Sequence, residues 1–126
     1  PSPVPDKTAV AGTYTEVAPR NLKPLLRDPV MAAIQQADRQ EVRIWPDKGE
    51  FAMSISPAGV WGTVKPLEGG LYEAFLRQGN ATLNCKLRLG ADGYLVLYLA
   101  DGPFHQMTYL RQGAKERSLP GELFVP

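Results

Sequence analysis

The sequence has little of what most reaction chemistry is built from. A single cysteine, Cys85, leaves no internal disulfide, and a single histidine, His105, excludes a histidine-rich zinc site or a mechanism that needs two imidazoles. Charge of one sign is also missing: 14 Lys and Arg stand against 13 Asp and Glu, a formal balance of +1. Such a chain has no long-range field to steer it to a polyanion, so no nucleic acid is expected as a partner. No apolar run approaches the ~20 residues of a membrane-spanning helix. The longest is Tyr94 to Ala100. Glycine-rich loops leading into a helix are absent too, so Gly69-Gly70 and Gly90 to Gly93 make no phosphate cradle, and no cofactor is expected.

What is present in quantity is turn chemistry. With 12 Gly and 12 Pro in 126 residues, 44% of them hydrophobic and 21% charged, the chain reads as one globular domain of many short elements. Residues 1–8 are Pro-rich and polar, a flexible N-terminal tether, and 9–126 form the single domain. The chain begins at Pro1 and not at Met. With the tether, this sets the expectation of an exported protein, periplasmic, envelope-anchored or secreted, with an upstream signal or lipid anchor removed; a trimmed chain would begin the same way.

The hydrophobic period supplies the architecture. Val10 to Val17 alternates with β-branched and aromatic residues, which predicts a first strand closed by Ala18, Pro19 and Arg20. A short helical segment over about 22–40 follows. It opens with a possible turn at Leu22 to Arg27, then Asp28 as N-cap and Pro29 at the first helical position, and carries a thin stripe of Val30, Ala33, Ile34 and Ala37.

From Glu41 the period drops to two, and seven short strands follow at close spacing, the pattern of an antiparallel meander. The clearest places Leu83, Cys85, Leu87 and Leu89 on one face, with Asn84, Lys86 and Arg88 on the other. A one-residue slip there would bury two cations, so the register is strongly specified. Tyr94 to Leu99 is apolar throughout and predicts a strand covered on both faces, central or under the helix. Phe104 to Arg111 reads as the last clear strand, and Leu123, Phe124 and Val125 as an apolar end able to dock as a closing one. The fold class is mainly β: about eight antiparallel strands in a barrel or half-barrel.

A strand, a helical segment and then a meander with short connections resembles the calycin group, the lipocalins and fatty-acid-binding proteins. Ala11-Gly12-Thr13-Tyr14 is similar to the Gly-x-Trp opening of those barrels, with Tyr14 in place of Trp, and Tyr109-Leu110-Arg111 resembles their late basic residue. The resemblance implies a structural closure pair, Tyr14 packed with Arg111. Small bacterial envelope lipoproteins with lipocalin-like barrels are similar as well, with Val60-Trp61-Gly62-Thr63 as the local counterpart of a mid-chain Gly-x-Trp-type strand. Such a barrel implies a small apolar ligand held inside, which makes the chain a non-enzymatic binding protein.

Six aromatics are the candidate ligand wall: Phe51, Trp61, Tyr72, Phe75, Tyr98 and Tyr109. The plainer use of the same residues is core packing, which would make the protein a solid-core interaction or structural module in the envelope or outside the cell, meeting a protein partner. Tyrosine hydroxyls aimed at a cavity would favour the carrier; hydroxyls bonded to protein groups would favour the packed core. Other chemistry is thin. No Ser, Cys or carboxylate stands at motif spacing from His105, Cys85 reads as a small buried hydrophobe, and Asp92 and Asp101 as turn residues, so no catalytic residue and no metal site are expected. Asn80-Ala81-Thr82 matches a glycosylation sequon in a turn. Arg77, Lys86, Arg88 and Arg111 could share a sheet face, diluted by Glu73.

Overall fold

The computed structural model describes residues 10–22, 29–36, 39–90, 92–98 and 105–114. Eight strands and one helix follow in chain order: β1 (Gly12–Leu22), α1 (Pro29–Gln36), β2 (Glu41–Asp47), β3 (Glu50–Ser56), β4 (Val60–Pro66), β5 (Leu71–Gln78), β6 (Ala81–Leu89), β7 (Tyr94–Tyr98) and β8 (His105–Arg111). Each strand pairs antiparallel with the next, and β8 returns to β1, so the sheet is a closed up-and-down barrel. Closure leaves no sheet edge to template aggregation. The architecture is compatible with a lipocalin-like small barrel.

Turn chemistry makes the meander possible. Between β2 and β3 the chain reverses at Lys48 and Gly49, both with positive φ (52° and 83°), and the flanking Asp47 and Glu50 are paired. Two left-handed residues in succession match the twist of the strands they join. Gly62 in β4 serves a different purpose. It faces inward opposite Leu76, and a Cβ there would run into the carbonyl oxygen of Phe75. The missing side chain lets β4 and β5 approach closely.

Alternation then fills the centre. Tyr14, Val42, Ile44, Met53, Ile55, Val64, Leu76, Cys85, Leu87, Leu95, Leu97, Met107 and Tyr109 belong to one buried cluster. An eight-stranded barrel has an interior just wide enough for such side chains. On α1, Val30 and Ile34 are fully buried, and the helix packs chiefly over β4, β5 and β6. Gln40 is buried beyond the helix end, and its Nε2 donates to the Ile34 carbonyl at 3.1 Å, satisfying one of the acceptors a helix terminus leaves open.

One expectation is corrected here, the extent of the first strand and of the helical segment that follows it. β1 does not end at Arg20 but runs to Leu22, carried past Pro19 by a register shift between Val17 and Asn21, so the helical segment does not begin at 22; the described helix covers only Pro29–Gln36. A bulge absorbs the irregular residues without ending the ladder. β7 is buried on both faces and lies between β6 and β8, as its composition requires, while α1 packs chiefly over β4, β5 and β6. The barrel closes through β8 on β1, whereas Leu123 to Val125, like the tether and the stretch 23–28, lie outside the described residues. Among the described residues no helix is long and apolar enough to cross a membrane.

Candidate functional site

Strand parity divides the six candidate aromatics into two groups. Phe51, Tyr72 and Tyr109 face inward and join the main core. Trp61 and Phe75 point out of the barrel and are 56% and 44% exposed. Tyr98 is also on the outer face, but it is buried, in a small separate cluster with Val96 and the partly buried Leu71. One ring of six aromatics around an interior ligand is therefore not what the fold builds. The reason was visible in the alternation: Phe75 shares parity with Glu73 and Arg77, and Trp61 with Thr63 and Lys65, all solvent-facing types.

The inward tyrosines are bonded to protein groups. Tyr14 donates its hydroxyl proton to the Val10 carbonyl at 2.8 Å, and the same oxygen accepts from Nη2 of Arg111 at 2.7 Å. The guanidinium carbon also stands 5.3 Å from the Tyr14 ring centre, within cation–π range. Tyr14 and Arg111 are register partners across the β1–β8 seam, so the two meet where the barrel closes. Burial pushes the Tyr14 phenol above its ordinary pKa, and Arg111 pulls it part of the way back. Tyr109 donates to the Met107 sulfur at 3.6 Å. Glu16, also inward and buried, accepts the backbone N–H of Gln40 at 3.0 Å, while its own N–H donates to the Gln40 carbonyl at 2.9 Å. These polar residues hold one end of the barrel together.

A cleft of about 670 Å³ opens elsewhere, between the β2–β3 hairpin and the β4 and β5 strands. Phe51, Val64, Phe75 and the prolines Pro46 and Pro66 supply an apolar wall, and Glu50, Thr63, Lys65 and Glu73 a polar rim. Because both inward and outward positions line it, the cleft belongs to the wall and rim of the barrel and not to its centre. Glu73 accepts from Lys86 at 3.0 Å, and that bond, helped by Lys65, holds its carboxyl below the usual range. Of the aromatics singled out from sequence, Phe51 and Phe75 meet here. The hairpin and β4 residues were missed, because nothing in their local pattern indicates that a turn at 48–49 will stand beside residues 63–66.

A smaller hollow of about 390 Å³ borders the seam at Thr15 to Val17, Arg39 and Leu110 to Ala114. Cys85 is buried in the core, as its face predicted. His105 pairs through its backbone with Leu22. Asp92 accepts the Tyr94 N–H at 3.3 Å, a turn role, and Asp101 lies outside the described residues. Asn80 is exposed in the β5–β6 turn. The supposed basic face divides: Arg111 turns inward to Tyr14, Lys86 is paired with Glu73, and Arg77 is exposed beside Trp61. Among the described residues no group of three or more His, Cys, Asp or Glu is placed to hold a metal ion. No protein-family model, no curated protein and no solved structure matches this chain; the closed eight-strand barrel is compatible with a small lipocalin-like barrel.

Proposed function

We propose that the chain is a non-enzymatic binding protein that takes a small apolar ligand in the cleft between the β2–β3 hairpin and β4–β5. The observation that carries this is the cleft itself: its volume of about 670 Å³ and its wall of Phe51, Val64 and Phe75 fall within the ~300–1,000 Å³, mainly apolar sites that small ligands use. Tyr14 and Tyr109 are occupied by protein partners, which speaks for a packed barrel centre and leaves the cleft in the wall as the ligand's place.

The test is a titration with N-phenyl-1-naphthylamine, an apolar fluorophore. The wild-type chain should give a saturable rise in emission. Pro66→Arg, which sets a cation at an exposed position of the cleft's apolar wall, should weaken binding at least 10-fold without moving the thermal midpoint. A flat titration of the folded wild type defeats the reading. The second reading, a packed barrel that acts through its outside, is favoured by the continuous buried cluster. It predicts no saturable signal, and no difference between wild type and Pro66→Arg.

A further inference from the structure

The three most exposed aromatic side chains among the described residues share one face. Trp61 is 56% exposed, Phe75 44% and Trp45 38%, and all three project outward from the sheet formed by β2 to β5. Register places them in two neighbouring rows. One row runs Trp45, Ala52, Thr63, Phe75, Asn84 across β2 to β6, and the next runs Arg43, Ser54, Trp61, Arg77, Thr82. Trp45 and Phe75 are thus three strand spacings apart, roughly 14 Å. Only Ala52 and Thr63 stand between them, and Trp61 lies diagonal to Phe75 on the adjoining strand.

From this we infer that the outer face of β2–β6 is a platform for a neutral oligosaccharide. The barrel core is complete without these rings, and exposed rings gathered on one face, with Trp61 diagonal to Phe75, mark a contact surface. The chemistry of the face selects the occupant. The first row carries no charge at all. Of the charges around it, Lys86 is paired with Glu73 at 3.0 Å and Arg43 with Glu41 at 2.9 Å, while Arg77 and Lys65 are exposed; cations and carboxylates are mixed, so the face carries no field of one sign for a polyanion. A lipid surface would want continuous apolar cover, but here hydroxyl and amide side chains, Ser54, Thr63 and Asn84, alternate with the rings. A sugar has both faces of that chemistry: flat C–H surfaces that lie on an aromatic ring, and a rim of hydroxyls that exchange hydrogen bonds with Ser, Thr, Asn and the exposed Arg77. Trp45 and Trp61 take no part in the apolar cleft, so the platform does not depend on it, although Phe75 and Thr63 border both.

The chain has only 2 Trp, and both are on this face, so intrinsic tryptophan emission reports the platform alone. The full chain is titrated with cellohexaose, chitohexaose, mannohexaose and maltohexaose at low and high salt. At least one should give a saturable change that is indifferent to salt, weakened 10-fold or more in Trp61→Ala and in Phe75→Ala, and unaltered in Pro66→Arg. Circular dichroism checks that the variants fold. Silence with all four sugars overturns the proposal. So does saturation by single-stranded oligothymidine that fades with salt, which would make the face a polyanion site, or a Trp61-dependent dimer in sedimentation, which would make it a self-association surface. Loss of naphthylamine binding in Pro66→Arg with sugar binding intact separates this face from the cleft.

Discussion

At the seam where β8 meets β1, Tyr14 is fully buried and its hydroxyl both donates and accepts; on the outer face of β4, Trp61 is more than half exposed. Both are large aromatics on alternating strands of one barrel. The difference lies in the polar handle. A phenol can enter a closing seam because its one hydroxyl is answered there by Val10 and Arg111, and the ring then contributes its whole apolar area to the core. On the outer face of β4 a large ring meets no such enclosure, and its surface is left available for a contact from outside. The seam therefore serves stability, and the outer face is the surface we propose for recognition.

The largest effect that would break this comparison is truncation. Tyr14→Ala should cost about 3–5 kcal/mol in urea denaturation, from lost burial and the cavity left behind, while Trp61→Ala should stay within about 0.5 kcal/mol, as surface changes do. Similar losses at both sites would erase the distinction. A smaller effect, of about 1–2 kcal/mol, is expected for Tyr14→Phe, which keeps the ring but removes the hydroxyl that Arg111 and Val10 share.

The same hydroxyl sets an alkaline signature. Because the folded pKa of Tyr14 is raised, its contribution is fully present below the ordinary tyrosine value of about 10 and is lost as pH rises through the higher folded value. Denaturation midpoints measured from pH 9 upward should fall less steeply for Tyr14→Phe than for wild type. The outer face should show the weakest and opposite dependence. Glu73 has a lowered folded pKa, so its bond to Lys86 contributes above the ordinary carboxylate value of about 4.3 and fades as pH falls through the lower folded one. Glu73→Gln should remove that small acid-side loss, and added salt should mask it in wild type because the pair is solvent-accessible.

Much of the fold was legible because β-strands announce themselves at period two. Leu83, Cys85, Leu87 and Leu89 against Asn84, Lys86 and Arg88 gives the faces of β6 without any knowledge of its neighbours, and Cys85 and Leu87 are indeed buried. Pro29 opens α1 where a missing N–H costs nothing. The reach of β1 to Leu22 was not legible, because Pro19 signals an end and only pairing with β8 beyond the bulge overrides it. The site was half legible. Parity already separated Phe75 from Tyr72, but composition grouped them as one aromatic wall, since ring chemistry is the same on either face.

By itself the sequence determined the strand count, the order of the meander, the turns and which residues of each strand share a face. These follow from interactions among neighbours a few residues apart: alternation, glycine at positive φ, proline at a helix start. Tertiary structure alone decided closure, which joins Tyr14 to Arg111 across 97 residues of chain. It alone aligned Trp45, Trp61 and Phe75 from three different strands, and set the β2–β3 hairpin beside β4 to open a cleft. Local pattern assigns a side chain to inside or outside, but register and barrel closure depend on how all eight strands fit together, and those decide which outward residues become neighbours.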